Sequence, residues 1–272
     1  MKTLRTFPRH LIALGIVALG AAASPAFAQS FTVQEGAIAG TTPNLVSADR
    51  ISFNYAATIV QSGAVGSPGN SFIESGYLTK ASFANGGVAV PSQLNGSQVG
   101  GATNGYGIYG LFTINGSAAP EGSGIKATFS SLMLNLYSDP NQDTTQSFSG
   151  TTAVRGGLTS DDRLLVSYTL QAGEAHVFGG LAKGDFNTIL NITLTPDGQA
   201  FFIAPRPFYM LEQFGGNTET LTGASLTGGF TAQATGAGTE IFIAAVPEPE
   251  TYALMLAGLG VVGFVARRRK TA

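Results

Sequence analysis

The chain has 272 residues, 44% of them hydrophobic and only 11% charged, with 37 glycines, two histidines and no cysteine. Without cysteine the chain supplies no disulfide, thiol nucleophile, thiolate metal site or iron–sulfur ligand. The formal charge of −2 hides an acidic body: residues 29–246 carry seven Lys/Arg against fourteen Asp/Glu, a net −7, which argues against nucleic acid as a partner.

The chain opens with the three parts of a secretory signal peptide. Lys2, Arg5 and Arg9 form a basic start, 11–23 an apolar run, and Ala26-Phe27-Ala28 a small-x-small cleavage site. The apolar run is too short for a membrane anchor. Cleavage is expected between Ala28 and Gln29, after export by the Sec machinery. Residues 29–245 are then long enough to bury a core without disulfides, as one all-β domain.

Within this body, β-rich runs alternate with turn residues. Strands are predicted for "FTVQ", for 50–61, for two short segments within 71–87 turning at Ser75-Gly76 and Asn85-Gly86-Gly87, and for 105–116, ending at an Asn115-Gly116 turn. In "IKATFSSLMLNLYSD", Leu132, Leu134 and Leu136 share a face expected to be buried, with Phe129 and Met133 on the other. A strand over 163–171 follows, then a short helix within 179–190. A hairpin is predicted at Pro196-Asp197-Gly198, and two closing strands within 223–246. Many short strands without alternating helices predict an all-β β-sandwich of jelly-roll-like type.

Few residues suggest chemistry. His176 is alone in the mature body, so neither a two-histidine metal site nor a G-x-S-x-G-supported triad is readable. Asp139, Asn141 and Asp143 fall at alternate positions of "SDPNQDT". That pattern fits either a weak calcium loop, lacking the Gly and Glu of an EF-hand, or an Asx-capped turn. The acids Asp161 and Asp162 are adjacent, so they point apart in a strand, whereas a glycosidase needs two converging carboxyls. Arg206 between two prolines, with Phe208 and Tyr209, offers a glycan contact or a core-sealing corner.

The tail reads Val246-Pro247-Glu248-Pro249, an apolar stretch over 251–266, then Arg267-Arg268-Arg269-Lys270. The stretch would be about 24 Å long as a helix, short of the roughly 30 Å hydrocarbon core of a bilayer. This order at this end of the chain resembles the PEP-CTERM sorting signal of Gram-negative bacteria. The resemblance implies transient residence in the inner membrane through 251–266, a basic stop-transfer end, recognition by an exosortase at Pro-Glu-Pro, and removal of the tail. In the body, "SADRISFNYA", "YGIYGLFT", "LYSDPNQDT" and "IAPRPFY" resemble the flocculation-associated PEP-CTERM proteins of the PepA type. That likeness implies a non-enzymatic cell-surface or matrix protein that promotes flocculation or biofilm formation by retaining extracellular polysaccharide. It brings no catalytic residues. A secreted polysaccharide hydrolase, or an adhesin with a protein partner, is the alternative expectation.

Overall fold

The computed structural model describes residues 29–96 and 105–243. The signal segment with Ala28, the motif at 246–249, the apolar stretch 251–266 and the basic run 267–270 lie outside the described residues.

Strand β1 (Phe31–Gln34) leads through a 3₁₀ turn (Glu35–Ala37) to β2 (Leu45–Ala48) and β3 (Arg50–Gln61). Then come β4 (Phe72–Asn85), β5 (Val88–Ala89), β6 (Gly107–Glu121) and β7 (Gly124–Asp139). The hairpin β8 (Thr144–Ser149) and β9 (Thr152–Gly157) precedes β10 (Arg163–Phe178) and β11 (Lys183–Leu194). Helix α1 (Pro196–Phe201), β12 (Phe202–Ala204), β13 (Leu211–Thr222) and β14 (Phe230–Ile243) complete the order.

Eight long strands pair antiparallel in the cycle β3-β14-β13-β11-β10-β7-β6-β4, and β4 pairs back onto β3. The sheet therefore closes on itself. The all-β expectation holds, but the sandwich gives way to a barrel, because one continuous sheet supplies both walls of the core. Register shifts interrupt five of the eight barrel pairings, and such bulges add the local bend and twist that closure requires.

One bulge redirects side chains. Asn115 pairs with Ser131 but Gly116 pairs with Phe129, so Ser130 is an extra residue in β7. It turns aside and donates to the Asn115 carbonyl at 3.1 Å. Phe129 thereby joins Leu132, Leu134 and Leu136 inside, although simple alternation placed it outside; Met133 stays exposed. The same bulge carries β6 straight through Asn115-Gly116, so no turn forms there. Ser75-Gly76 likewise lies inside β4, where Gly76 makes room for the Phe112 ring: a Cβ would meet its Cζ at 2.2 Å.

Pro196-Asp197-Gly198 opens α1 rather than a hairpin. Thr195 is the N-cap, accepting from Gly198 N–H at 3.0 Å, and proline takes the first turn, where it forfeits no helical hydrogen bond. The helix expected within 179–190 is instead a turn and the start of β11, where Phe186 and Thr188 face inward.

The interior is apolar and the outward positions are mostly polar, as Thr231, Gln233 and Thr235 show along β14. This is the reverse of an outer-membrane barrel, whose lipid face is apolar and whose lumen is polar. Among the described residues no helix is long and apolar enough to cross a membrane.

The two ends of the barrel differ. At one, a small sheet in the order β12-β1-β2 and helix α1 plug the interior. Phe31 packs there on Phe83, Phe202 and Phe242, with centroid distances from 4.9 to 6.1 Å. At the other end the hairpins β3–β4, β6–β7, β10–β11 and β13–β14 turn, and the 62–71 loop folds over: Val65 N–H donates to Leu226 O and Gly66 N–H to Ala118 O.

Candidate functional site

Strand β7 delivers Asp139, Asn141 and Asp143 to a turn outside the plugged end. Asp139 is buried, and its Oδ2 accepts from Thr144 N–H at 3.1 Å. Burial pushes its carboxyl above the usual range. Asn141 Nδ2 donates to Asp143 Oδ2 at 2.8 Å. The turn is thus tied together by its own Asx side chains. Asp139 Oδ1 and Asp143 Oδ1 are enclosed without a hydrogen bond. Even so, among the described residues no group of three or more His, Cys, Asp or Glu side chains is placed to hold a metal ion.

Asp161 and Asp162 do separate as adjacent residues should. Asp162 turns inward under the β8–β9 hairpin, its side chain 0% exposed. There it accepts from Thr144 Oγ1 at 3.0 Å and from the Tyr109 hydroxyl at 2.5 Å. Arg155 donates to the same hydroxyl at 3.0 Å and reaches Asp162 at 3.4 Å. Tyr109 stacks on Tyr137 at 5.2 Å, and the Arg155 guanidinium lies 4.6 Å from the Tyr137 ring centre. Beside them Phe148 packs on Tyr77 at 5.1 Å, while Ala153 N–H donates to Ser75 Oγ at 2.9 Å and fixes the hairpin to β4. The result is an outward patch of half-buried Tyr77, Tyr137 and Phe148 with Arg155. Sequence reading missed it, because its members come from four strands and meet only when the hairpin folds back. Sugar rings stack on such aromatic faces, and a guanidinium offers forked donors to hydroxyls or carboxylates.

The Arg206 corner is occupied with its own structure. Arg206 Nη2 donates to Gln199 O at 2.6 Å and Nε to Ile203 O at 3.0 Å. Phe208 packs on Phe202 and Phe242, Tyr209 stacks on Phe242 at 5.9 Å, and the Tyr209 hydroxyl donates to Ser30 O at 2.8 Å. These three residues seal the plug.

His176 lies at the hairpin end, its Nδ1 2.6 Å from Glu121 and its Nε2 3.5 Å from Glu174. The Glu121 carboxylate raises the imidazole pKa. Lys126 pairs with Glu174 at 2.8 Å, so the histidine belongs to a rim of surface ion pairs.

Three glutamates inside the barrel carry the largest surprises. Glu212 and Glu240 sit diagonally on adjacent strands, since Glu212 pairs with Phe242 and Phe214 with Glu240. Both are fully buried, and none of their four oxygens, nor the neighbouring Tyr168 hydroxyl, has a hydrogen bond. Burial pushes Glu240 up to about 8 and Glu212 well above the carboxylate range, the Glu240 charge adding to the latter. They converge as a glycosidase pair would, but inside a sealed core. Glu35, also buried, is by contrast well satisfied, accepting from Gln93 N–H, Tyr106 and Asn44. Glu74 points from the start of β4 into the hairpin half, and burial pushes it up to about 7. Period-two alternation holds the signal for all three: Glu74 is in phase with Phe72, Glu212 with Phe214, Glu240 with Phe242.

Residues 245–270 match the PEP-CTERM protein-sorting motif. The motif implies an exosortase-processed, secreted protein with a surface or extracellular location. No curated protein matches the chain.

Proposed function

We propose that this chain is a non-enzymatic surface or matrix protein of a Gram-negative bacterium, which promotes flocculation or biofilm formation by retaining extracellular polysaccharide. The observation that carries the reading is the sorting motif at 245–270, which directs the barrel out of the cell. The resemblance of the body to flocculation-associated PEP-CTERM proteins supplies the role. The outward patch of Tyr77, Tyr137, Phe148 and Arg155 is a surface suited to sugar rings, because half-buried aromatic side chains and an exposed guanidinium lie together there on the outside of the barrel.

Two measurements test this. Deleting 247–272 in the producing bacterium should abolish sorting and floc formation; normal sorting and aggregation of the truncated protein would overturn the reading. The exported protein should bind the host's exopolysaccharide, and Tyr77→Ala with Phe148→Ala should weaken binding about tenfold. A folded protein that ignores that polysaccharide would favour an adhesin with a protein partner.

A further inference from the structure

The hairpin half of the barrel contains a cavity of about 100 Å³. Six alanines line it: Ala118, Ala127, Ala175, Ala224, Ala232 and Ala234. Small side chains at these six positions leave space between the larger ones. Tyr55, Phe186 and Phe214 pack edge to face beside it, with centroids 5.2–5.5 Å apart, and wall it off from the plug.

The lining is mostly hydrocarbon; of its polar members, Tyr55, Thr218, Gln61, Thr188 and His176 are bonded to other protein groups and Asp185 is exposed, which leaves Glu74. Glu74 enters between Ile59 and Ile114, its partners on β3 and β6. The residue is half-buried and lines the cavity. Among the described residues it forms no hydrogen bond and no ion pair. Burial pushes the Tyr55 phenol pKa up and the nearby Glu74 charge adds to the rise, but the Tyr55 hydroxyl is engaged with Thr218 Oγ1 at 2.6 Å.

An eight-stranded barrel is either filled by its own side chains or holds one small ligand. This barrel does the first at one end and not at the other. By volume the void exceeds the roughly 10–15 Å³ that one water needs, but waters require two to four polar partners each, and most polar groups of the lining are already bonded within the protein. A buried carboxyl without a partner is costly. Both features are relieved by one kind of occupant.

We propose that this cavity is a binding site for a small alcohol, with its hydrocarbon part against the alanines, Phe129 and Leu132 and its hydroxyl donating to Glu74. The size fits about six to eight non-hydrogen atoms, near that of ring compounds known to enter apolar cavities of about 150 Å³. The rise of the Glu74 pKa to about 7 agrees with a carboxyl held away from water and counter-charge. The site is inside the barrel, so it is independent of polysaccharide retention at the outer surface.

The test is calorimetric titration of the exported protein with 1-hexanol, with toluene as a comparator that lacks a donor. Saturable one-to-one binding of 1-hexanol is expected. Ala232→Leu should fill the void and weaken both compounds at least tenfold. Glu74→Leu should weaken 1-hexanol about tenfold while sparing toluene. Ala175→Leu is the second filling variant, should Ala232→Leu fail to fold by circular dichroism. Crystals of the wild-type protein under xenon should show density beside Glu74. No saturable binding of either compound up to its solubility, or binding that both folded filling variants leave unchanged, would overturn the site. Toluene binding alone, or 1-hexanol binding indifferent to Glu74→Leu, would overturn the alcohol assignment.

Discussion

The plugged end of the barrel and its hairpin end are built from the same eight strands, yet their interiors are filled differently. At the plugged end Phe31, Phe83, Phe202 and Phe242 are each at most 1% exposed and form one connected aromatic network, sealed by Phe208 and Tyr209. At the hairpin end six alanines share the lining of a void with phenylalanines and with the buried carboxyl of Glu74. Rings that interlock cannot be trimmed without leaving a hole, whereas a wall already facing a hole has nothing to lose on that side. Substitutions should therefore cost most where the rings meet.

Phe242→Ala should give the largest effect, since the ring touches Phe31, Phe202, Phe208 and Tyr209 together. A loss of about 3–5 kcal/mol is expected from urea unfolding. Phe230→Ala, which borders the cavity, should cost clearly less. Equal losses would dissolve the distinction between the two halves.

Acid–base behaviour sharpens the comparison, because each half holds its own buried carboxyls. Glu74 titrates near 7 and Glu240 near 8 when folded, both raised from 4.5 by burial. The folded chain keeps protons that the unfolded chain releases, so this stability is complete below about pH 4.5. The Glu74 contribution falls as pH rises until about pH 7 and that of Glu240 until about pH 8, with Glu212, raised by the same burial, adding to the decline. Unfolding free energies measured across pH 4–9 should show the decline. Glu74→Gln should remove roughly 3 kcal/mol of it, all below about pH 7. Glu240→Gln should flatten the stretch up to about pH 8. A variant curve parallel to that of the unaltered protein would show that the carboxyl in question is not buried as described.

Much of this architecture was legible from residue order, and the failures have physical causes. The Leu132-Leu134-Leu136 face and the turn at Asn85-Gly86-Gly87 follow from local alternation and local backbone preference, and both are present. Closure of the sheet depends on β3 pairing with β4 and β14 at once, and a sandwich strand would carry the same inward-outward pattern. Asn115-Gly116 has the composition of a turn, but Ser130 across the ladder absorbs the irregularity as a bulge. Strand β13 was not predicted at all, because Gly215-Gly216 interrupts its β-rich pattern; a Cβ on Gly216 would meet Ala237 O at 2.2 Å, so backbone proximity rather than turn geometry requires that glycine. In the candidate sites, the Asp139 turn was readable as a local motif. The Tyr77, Tyr137, Phe148 and Arg155 patch was not, because long-range packing brings its members together.

The smallest predicted effect is the most discriminating, because it applies one substitution to both halves. Ala81 and Ala232 are each at most 1% exposed and both point inward, Ala81 toward the plugged end and Ala232 toward the cavity. Two added methyl groups must displace packed neighbours at Ala81, where overpacking should cost about 1–3 kcal/mol. At Ala232 the same groups enter open space and remove apolar surface from a void, so Ala232→Val should change stability by less than about 1 kcal/mol, in either direction. Paired urea titrations would measure the difference directly. If Ala232→Val destabilised as much as Ala81→Val, the space beside Ala232 would be closed to side-chain atoms, and the hairpin half would be packed like the plug.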